Sequence, residues 1–131
     1  MSENDELNNL YSIAKEHSKK NEIEYAIYIY SKLIKSSELT EFYCERAYLY
    51  FKNNDDDLCV DDIMEAYYKF DFKIEKNAHL KVLYLKNAYL NIFYLEKLSN
   101  SDRIKRKFKE RKIDFDEMLE NLKIEFIKSF E

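Results

Sequence analysis

The sequence predicts an all-α fold, built as a stack of antiparallel helix hairpins. Three observations carry this. The chain contains neither glycine nor proline over 131 residues, so both strong breakers of regular structure are absent. Sliding the sequence by 33 residues brings Ala14 onto Ala47, Ala26 onto Cys59, Tyr30 onto Ile63 and Leu33 onto Ala66, and places the polar break Lys20-Asn21-Glu22 on Asn53-Asn54-Asp55. A period of this length marks a repeat of two antiparallel helices. Apolar residues also recur at helical spacing along nearly the whole chain. A+T-rich coding, which favours Lys, Asn, Ile, Tyr and Phe, is a second explanation of the composition.

The elements follow in order. Ser2 to Glu6 can cap a first helix over about Glu6–Lys19, with Leu7, Leu10, Ile13, Ala14 and His17 on one face. His17 reads as a packed or half-buried ring rather than a ligand. A second helix, about Glu22–Ser36, carries Ile23, Ala26, Ile27, Tyr30, Leu33 and Ile34 on one face and Tyr25, Tyr28 and Ile29 on the other. That excess predicts burial on both sides. Thr40 is the expected cap of a third helix, about Glu41–Lys52, with Phe42, Tyr43, Ala47, Tyr50 and Phe51 for packing. Asp55, Asp56 and Asp57 precede a fourth, about Leu58–Phe70, where carboxylates oppose the helix dipole favourably. A calcium loop would need a glycine and a closing glutamate that are missing.

Asp71 to Asn77 are expected to connect to an apolar helix over Ala78–Leu98, with Leu80, Leu83, Tyr84, Ala88, Ile92 and Leu95 on one face and Val82, Leu85, Tyr89 and Phe93 on another. Ser101 then caps a stripe of Ile104, Phe108, Phe115, Leu119, Leu122 and Phe126, read as one long helix or two with a bend near Ile113 and Asp114. The whole is one domain, 1–131, with repeat one at about 7–39, repeat two at about 40–73 and a degenerate helix pair at about 77–131.

The pattern resembles the tetratricopeptide repeat (TPR), whose small, small, large, small order falls on Ala14, Ala26, Tyr30 and Leu33, and on Ala47, Tyr50, Cys59, Ile63 and Ala66. Leu33 departs from the usual small residue, and the turn glycine and closing proline are missing. Asn21 and Asn54 stand at the glycine position, and asparagine is the next residue to tolerate a left-handed backbone. A more local resemblance is carried by Phe42-Tyr43-Cys44-Glu45-Arg46-Ala47-Tyr48 and Cys59-Val60-Asp61-Asp62, which look like the second TPR of the suppressor-of-G-two-arrest co-chaperone family. That family joins its TPR domain to a chaperone-binding β-sandwich, missing here, and acts as an adaptor to ubiquitin-ligase and kinetochore complexes.

The resemblance implies a non-enzymatic protein-interaction adaptor with a groove formed by Asn8, Tyr11, Lys15, Glu41, Glu45, Tyr48 and Lys52. The implied partners are chaperone or ubiquitin-ligase adaptor complexes, and homodimerisation stays open. Projecting the family's carboxylate clamp puts Tyr11 at its first lysine, Lys15 at its first asparagine and Glu45 at its second. Glu45 would repel a carboxylate there, so a polar or helical partner is expected in place of an acidic tail. The alternative is an RNA- or ribosome-associated factor, binding through the basic run Arg103, Lys105, Arg106, Lys107, Lys109, Arg111 and Lys112, with Ile104 and Phe108 turned to the core.

The sequence offers no enzymatic constellation, cofactor motif or metal spacing: two distant histidines, no Cys-x-x-Cys, no glycine-rich loop. Cys44 and Cys59 read as buried thiols of a reducing compartment. The net charge of −4 selects no partner. No apolar run reaches the length needed to span a bilayer, and the acidic, polar start is unlike a targeting signal. A cytoplasmic place, with or without the nucleus, is therefore expected.

Overall fold

The computed structural model of the chain describes residues 2–69 and 78–130. Seven helices are found among them: α1 (Glu3–Lys19), α2 (Ile23–Ser36), α3 (Thr40–Lys52), α4 (Asp56–Lys69), α5 (Ala78–Leu98), α6 (Asp102–Glu110) and α7 (Phe115–Lys128). The expected connection Asp71–Asn77, the end of the fourth helix at Phe70 and the side chains of Leu80, Val82, Leu83 and Tyr84 lie outside the described residues.

Three tight reversals share one geometry. Asn21, Asn54 and Lys112 take positive φ of 63°, 62° and 62°. In each turn the next residue donates its N–H to the carbonyl five residues back: Glu22 to His17 (2.9 Å), Asp55 to Tyr50 (2.8 Å) and Ile113 to Phe108 (3.0 Å). This is the six-to-one closure of a helix end over a left-handed residue. Both asparagines occupy the conformation expected of them. Lys112 does the same without an asparagine's local hydrogen bonding.

Packing follows the internal repeat. Ala14, Ala26, Tyr30, Leu33, Ala47, Cys59, Ile63 and Ala66 are all buried. α3 lies at the centre, against α2, α4 and α5, while α1 packs on α2, α4 on α6 and α5 on α7. One core cluster gathers Ala14, Tyr30, Leu33, Phe42, Leu49 and Ala66; the other gathers Ala47, Cys59, Ile63, Leu95, Ile104, Phe108 and Leu122. The last three helices replace the expected helix pair. Their break falls at Asp114, whose side chain caps α7 by accepting from the Glu117 N–H at 3.1 Å.

Several expectations are corrected. α1 starts at Glu3, capped by Ser2, and α4 starts at Asp56. Thr40 is buried inside α3, and Leu39 holds the cap position without a side-chain bond. Tyr25 and Tyr28 are 51% and 55% exposed, so α2 buries one face only, with Ile29 on the buried side. Tyr89 and Phe93 are likewise 55% and 41% exposed on α5, and Ile13 leaves the packed face of α1. Aromatic content overstates burial here because tyrosine and phenylalanine can lie flat on a surface against one another, as the stacked Tyr89–Phe93 rings do at 6.1 Å.

α3 is fastened by an ion pair whose acid is buried. Arg46 grips Asp62 of α4 through two bonds of 2.7 Å and donates to the Ser31 hydroxyl of α2 at 3.0 Å. The Tyr50 and Tyr43 rings lie 5.5 and 6.0 Å from the guanidinium carbon. Asp62 is only 3% exposed, so removing one partner leaves the other uncompensated. Arg46→Leu is expected to lower unfolding free energy by about 3 kcal/mol or more in urea, and Arg46→Leu with Asp62→Leu to recover most of that loss. Equal losses from single and double variants would contradict this account.

Candidate interaction groove

α1, α3 and α5 together line a cleft of about 330 Å³, with Lys15, Ser18 and Lys19 from the first, Glu45, Tyr48 and Lys52 from the second and Tyr94 and Lys97 from the third. Helical spacing explains the convergence. Lys15 and Lys19 are one turn apart, as are Tyr48 and Lys52, while Tyr94 and Lys97 share a face at three residues. The lysines are exposed, and three of them lie against aromatic rings. Lys15 Nζ sits 4.2 Å from the Tyr11 centroid, Lys52 Nζ 5.1 Å from Tyr48, and Lys97 Nζ 4.7 Å from Tyr48 and 4.6 Å from Phe93. None of Lys15, Lys19, Lys52 and Lys97 has an ion-pair partner among the described residues.

The one acid of this cleft is held from several sides. Tyr11 of α1 donates to Glu45 Oε1 at 3.2 Å, and Tyr30 of α2 donates to Oε2. Burial first, and the Glu45 carboxylate with it, push the Tyr11, Tyr30 and Tyr94 hydroxyls well above the usual phenol range. Glu45 is therefore a fixed floor to the cleft rather than an open acid at its rim. Four lysines against one glutamate leave a formal charge of +3 there.

The seven expected groove residues divide between two adjoining clefts. Lys15, Glu45, Tyr48 and Lys52 belong to the lysine cleft. Asn8, Tyr11 and Glu41 line a second of about 280 Å³ with Leu7, Ser37, Leu39 and Phe42. The Tyr11–Glu45 bond joins the two, and Glu41 is paired with Lys86 of α5 at 3.5 Å. Sequence reasoning missed Ser18, Lys19, Tyr94 and Lys97. The Tyr94-x-x-Lys97 spacing on an unusually aromatic helix was the available signal.

The basic run is placed differently from the expected ridge. Ile104 and Phe108 are buried as anticipated. Arg103, Lys107 and Arg111, spaced by four, face the acidic start of α4: Arg103 bonds Asp56 at 2.8 Å, Lys107 lies 3.5 Å from Asp57, and Arg111 bonds Asp61 at 2.6 Å. Arg103 and Arg111 also donate to the Phe51 and Asp57 carbonyls, each at 3.1 Å. Lys105 pairs with Asp116 at 3.0 Å. Arg106, Lys109 and Lys112 have no ion-pair partner among the described residues.

Among the described residues no group of His, Cys, Asp and Glu has the arrangement to hold a metal ion. Cys44 and Cys59 are free and buried. Burial pushes the Cys59 thiol up to about 12 and the Cys44 thiol higher still, which removes thiolate chemistry at neutral pH. No described helix is long and apolar enough to cross a membrane. No protein-family model, curated protein or solved structure matches the chain.

The tyrosines around Glu45 give a pH signature. Their ionisation is raised by folding above the unfolded value of about 10, so the folded chain keeps protons that the unfolded chain loses. Their contribution to stability is complete below about pH 10 and declines as pH rises further. Urea midpoints are expected to fall steeply above that value, and Tyr30→Phe to flatten the fall while costing about 1–2 kcal/mol at neutral pH. Titration of every tyrosine near pH 10 in the folded protein, followed by tyrosinate absorbance, would contradict it.

Proposed function

We propose that the chain is a non-enzymatic, TPR-like interaction adaptor that receives a segment of a partner protein along the face shared by α1, α3 and α5. The observation that carries this reading is the lysine cleft, where exposed cations, three of them over aromatic rings, converge from three helices with no acid paired to them among the described residues. Groups left without internal partners on a rigid scaffold are suited to binding. The TPR-like reading is supported by the burial of all eight residues that coincide on a shift of 33, and by the left-handed asparagines in corresponding turns. The local likeness to the suppressor-of-G-two-arrest repeat favours chaperone or ubiquitin-ligase adaptor complexes as the partner class.

The chemistry of the face agrees with a binding role. The two thiols are buried and protonated. Glu45, Arg46 and Asp62 are each occupied by neighbouring helices. The reading in which the basic run contacts RNA or the ribosome is less well supported, because Arg103, Lys105, Lys107 and Arg111 already pair with acids of the chain.

A photo-crosslinking residue placed at Tyr48, with control positions at exposed Tyr25 on α2 and Lys109 on α6, tests the adaptor reading in a native extract. Tyr48 is expected to capture a discrete protein band, resistant to nuclease, that neither control yields. Capture only from Lys109, abolished by nuclease, would overturn it in favour of the RNA reading.

A further inference from the structure

We propose that the segment received by the α1–α3–α5 cleft is acidic, is bound through the interior of its chain rather than its end, and carries an apolar side chain beside its carboxylates. This rests on the groove reading above and adds the chemistry of the occupant.

Lys15, Lys19, Lys52 and Lys97 approach from three helices and are exposed, whereas Arg103, Lys107 and Arg111 answer to α4 and Lys105 to α7. An acidic segment supplies the counter-charges that these lysines do not find among the described residues. A neutral helix would leave these ammonium groups without counter-charge, and a basic segment would add like charge beside them.

The position of Glu45 then selects the mode of binding. Its carboxylate lies at the floor, tied to Tyr11 and Tyr30, so a single terminal carboxylate driven inward would meet a like charge. Carboxylates spaced along an extended chain avoid the floor and reach the lysines at the rim. The apolar component follows from α5. Phe93 lies beside the cleft under Lys97 and stacks on Tyr89, and both rings are largely exposed. An apolar side chain set next to the acids would cover that pair.

The test uses the full chain and fluorescein-labelled peptides with both ends blocked. The first alternates glutamate with occasional phenylalanine; the second replaces glutamate with glutamine, the third replaces it with lysine, and the fourth is the acidic peptide with a free carboxyl end. Fluorescence anisotropy is read for the wild type, for Lys15→Glu with Lys97→Glu, for Lys15→Ala with Lys97→Ala, and for Lys109→Glu with Lys112→Glu, after each variant is shown to melt as the wild type does. The acidic blocked peptide is expected to bind, to weaken with added salt, and to weaken on the order of tenfold or more in the Lys15/Lys97 charge reversal and less in the alanine pair. The α6 variant should leave it unchanged. Equal or tighter binding of the glutamine or lysine peptide, still sensitive to Lys15 and Lys97, would overturn the acidic occupant while leaving the groove in place. Dependence on a free carboxyl end would overturn the internal mode alone. Acidic binding lost only in the α6 variant would remove the groove reading as well, and failure of all the peptides to bind would overturn the proposal.

Discussion

Two neighbouring charges on α3, Glu45 and Arg46, set the terms for the rest of the molecule. They project from different sides of one helix, and neither can be left half-buried without partners. Arg46 takes Asp62 from α4 and Ser31 from α2, between the rings of Tyr43 and Tyr50. Glu45 takes the hydroxyls of Tyr11 from α1 and Tyr30 from α2, and Tyr94 of α5 keeps its proton beside it, held by burial first and by this carboxylate next. Every one of the first five helices therefore touches a charge of α3 or is touched by its partner. The apolar repeat brings the helices together; these two residues fix how they sit.

The remaining charges divide by the same logic. The acids at the start of α4 meet the cations of α6 and its cap, across 47 to 54 residues of sequence, and this pairing holds the C-terminal helices against the second hairpin. Individual exposed pairs contribute little, but a row of them with carbonyl contacts gives α6 a defined register against α4, with its own Ile104 and Phe108 buried. The cleft lysines Lys15, Lys19, Lys52 and Lys97 find no such acids among the described residues. A basic segment thus performs structural work, while scattered lysines that form no run make the surface suited to a partner.

That contrast explains what was legible in the sequence. The shift of 33 residues exposed the packed positions because small and bulky residues must alternate wherever two helices meet closely, and all eight of those positions are buried. Asn21 and Asn54 announced their turns by residue type, whereas Lys112 adopts the same backbone with no such mark. The Arg46–Asp62 pair was hidden because it joins residues 16 apart on different helices, a spacing that follows from no single-helix period. The lysine cleft was half legible. Lys15 and Lys52 could be placed from the repeat, but Tyr94 and Lys97 lie on α5, where the likeness between repeats has faded and an unbroken apolar pattern conceals which face is open. Exposed Tyr25, Tyr28, Tyr89 and Phe93 show the same ambiguity, since helical periodicity identifies a stripe without saying whether another helix covers it.

The central claim is that α3 is the member to which the other helices are fixed, and native-state amide hydrogen exchange measures this helix by helix. The account predicts that the amides around Cys44 to Leu49 exchange only through global unfolding, with a denaturant dependence equal to that of the whole chain, while those of α1 and the end of α7 open at lower cost. Exchange from α3 as fast as from α1 or α7 would contradict it and remove the foundation on which the cleft is placed.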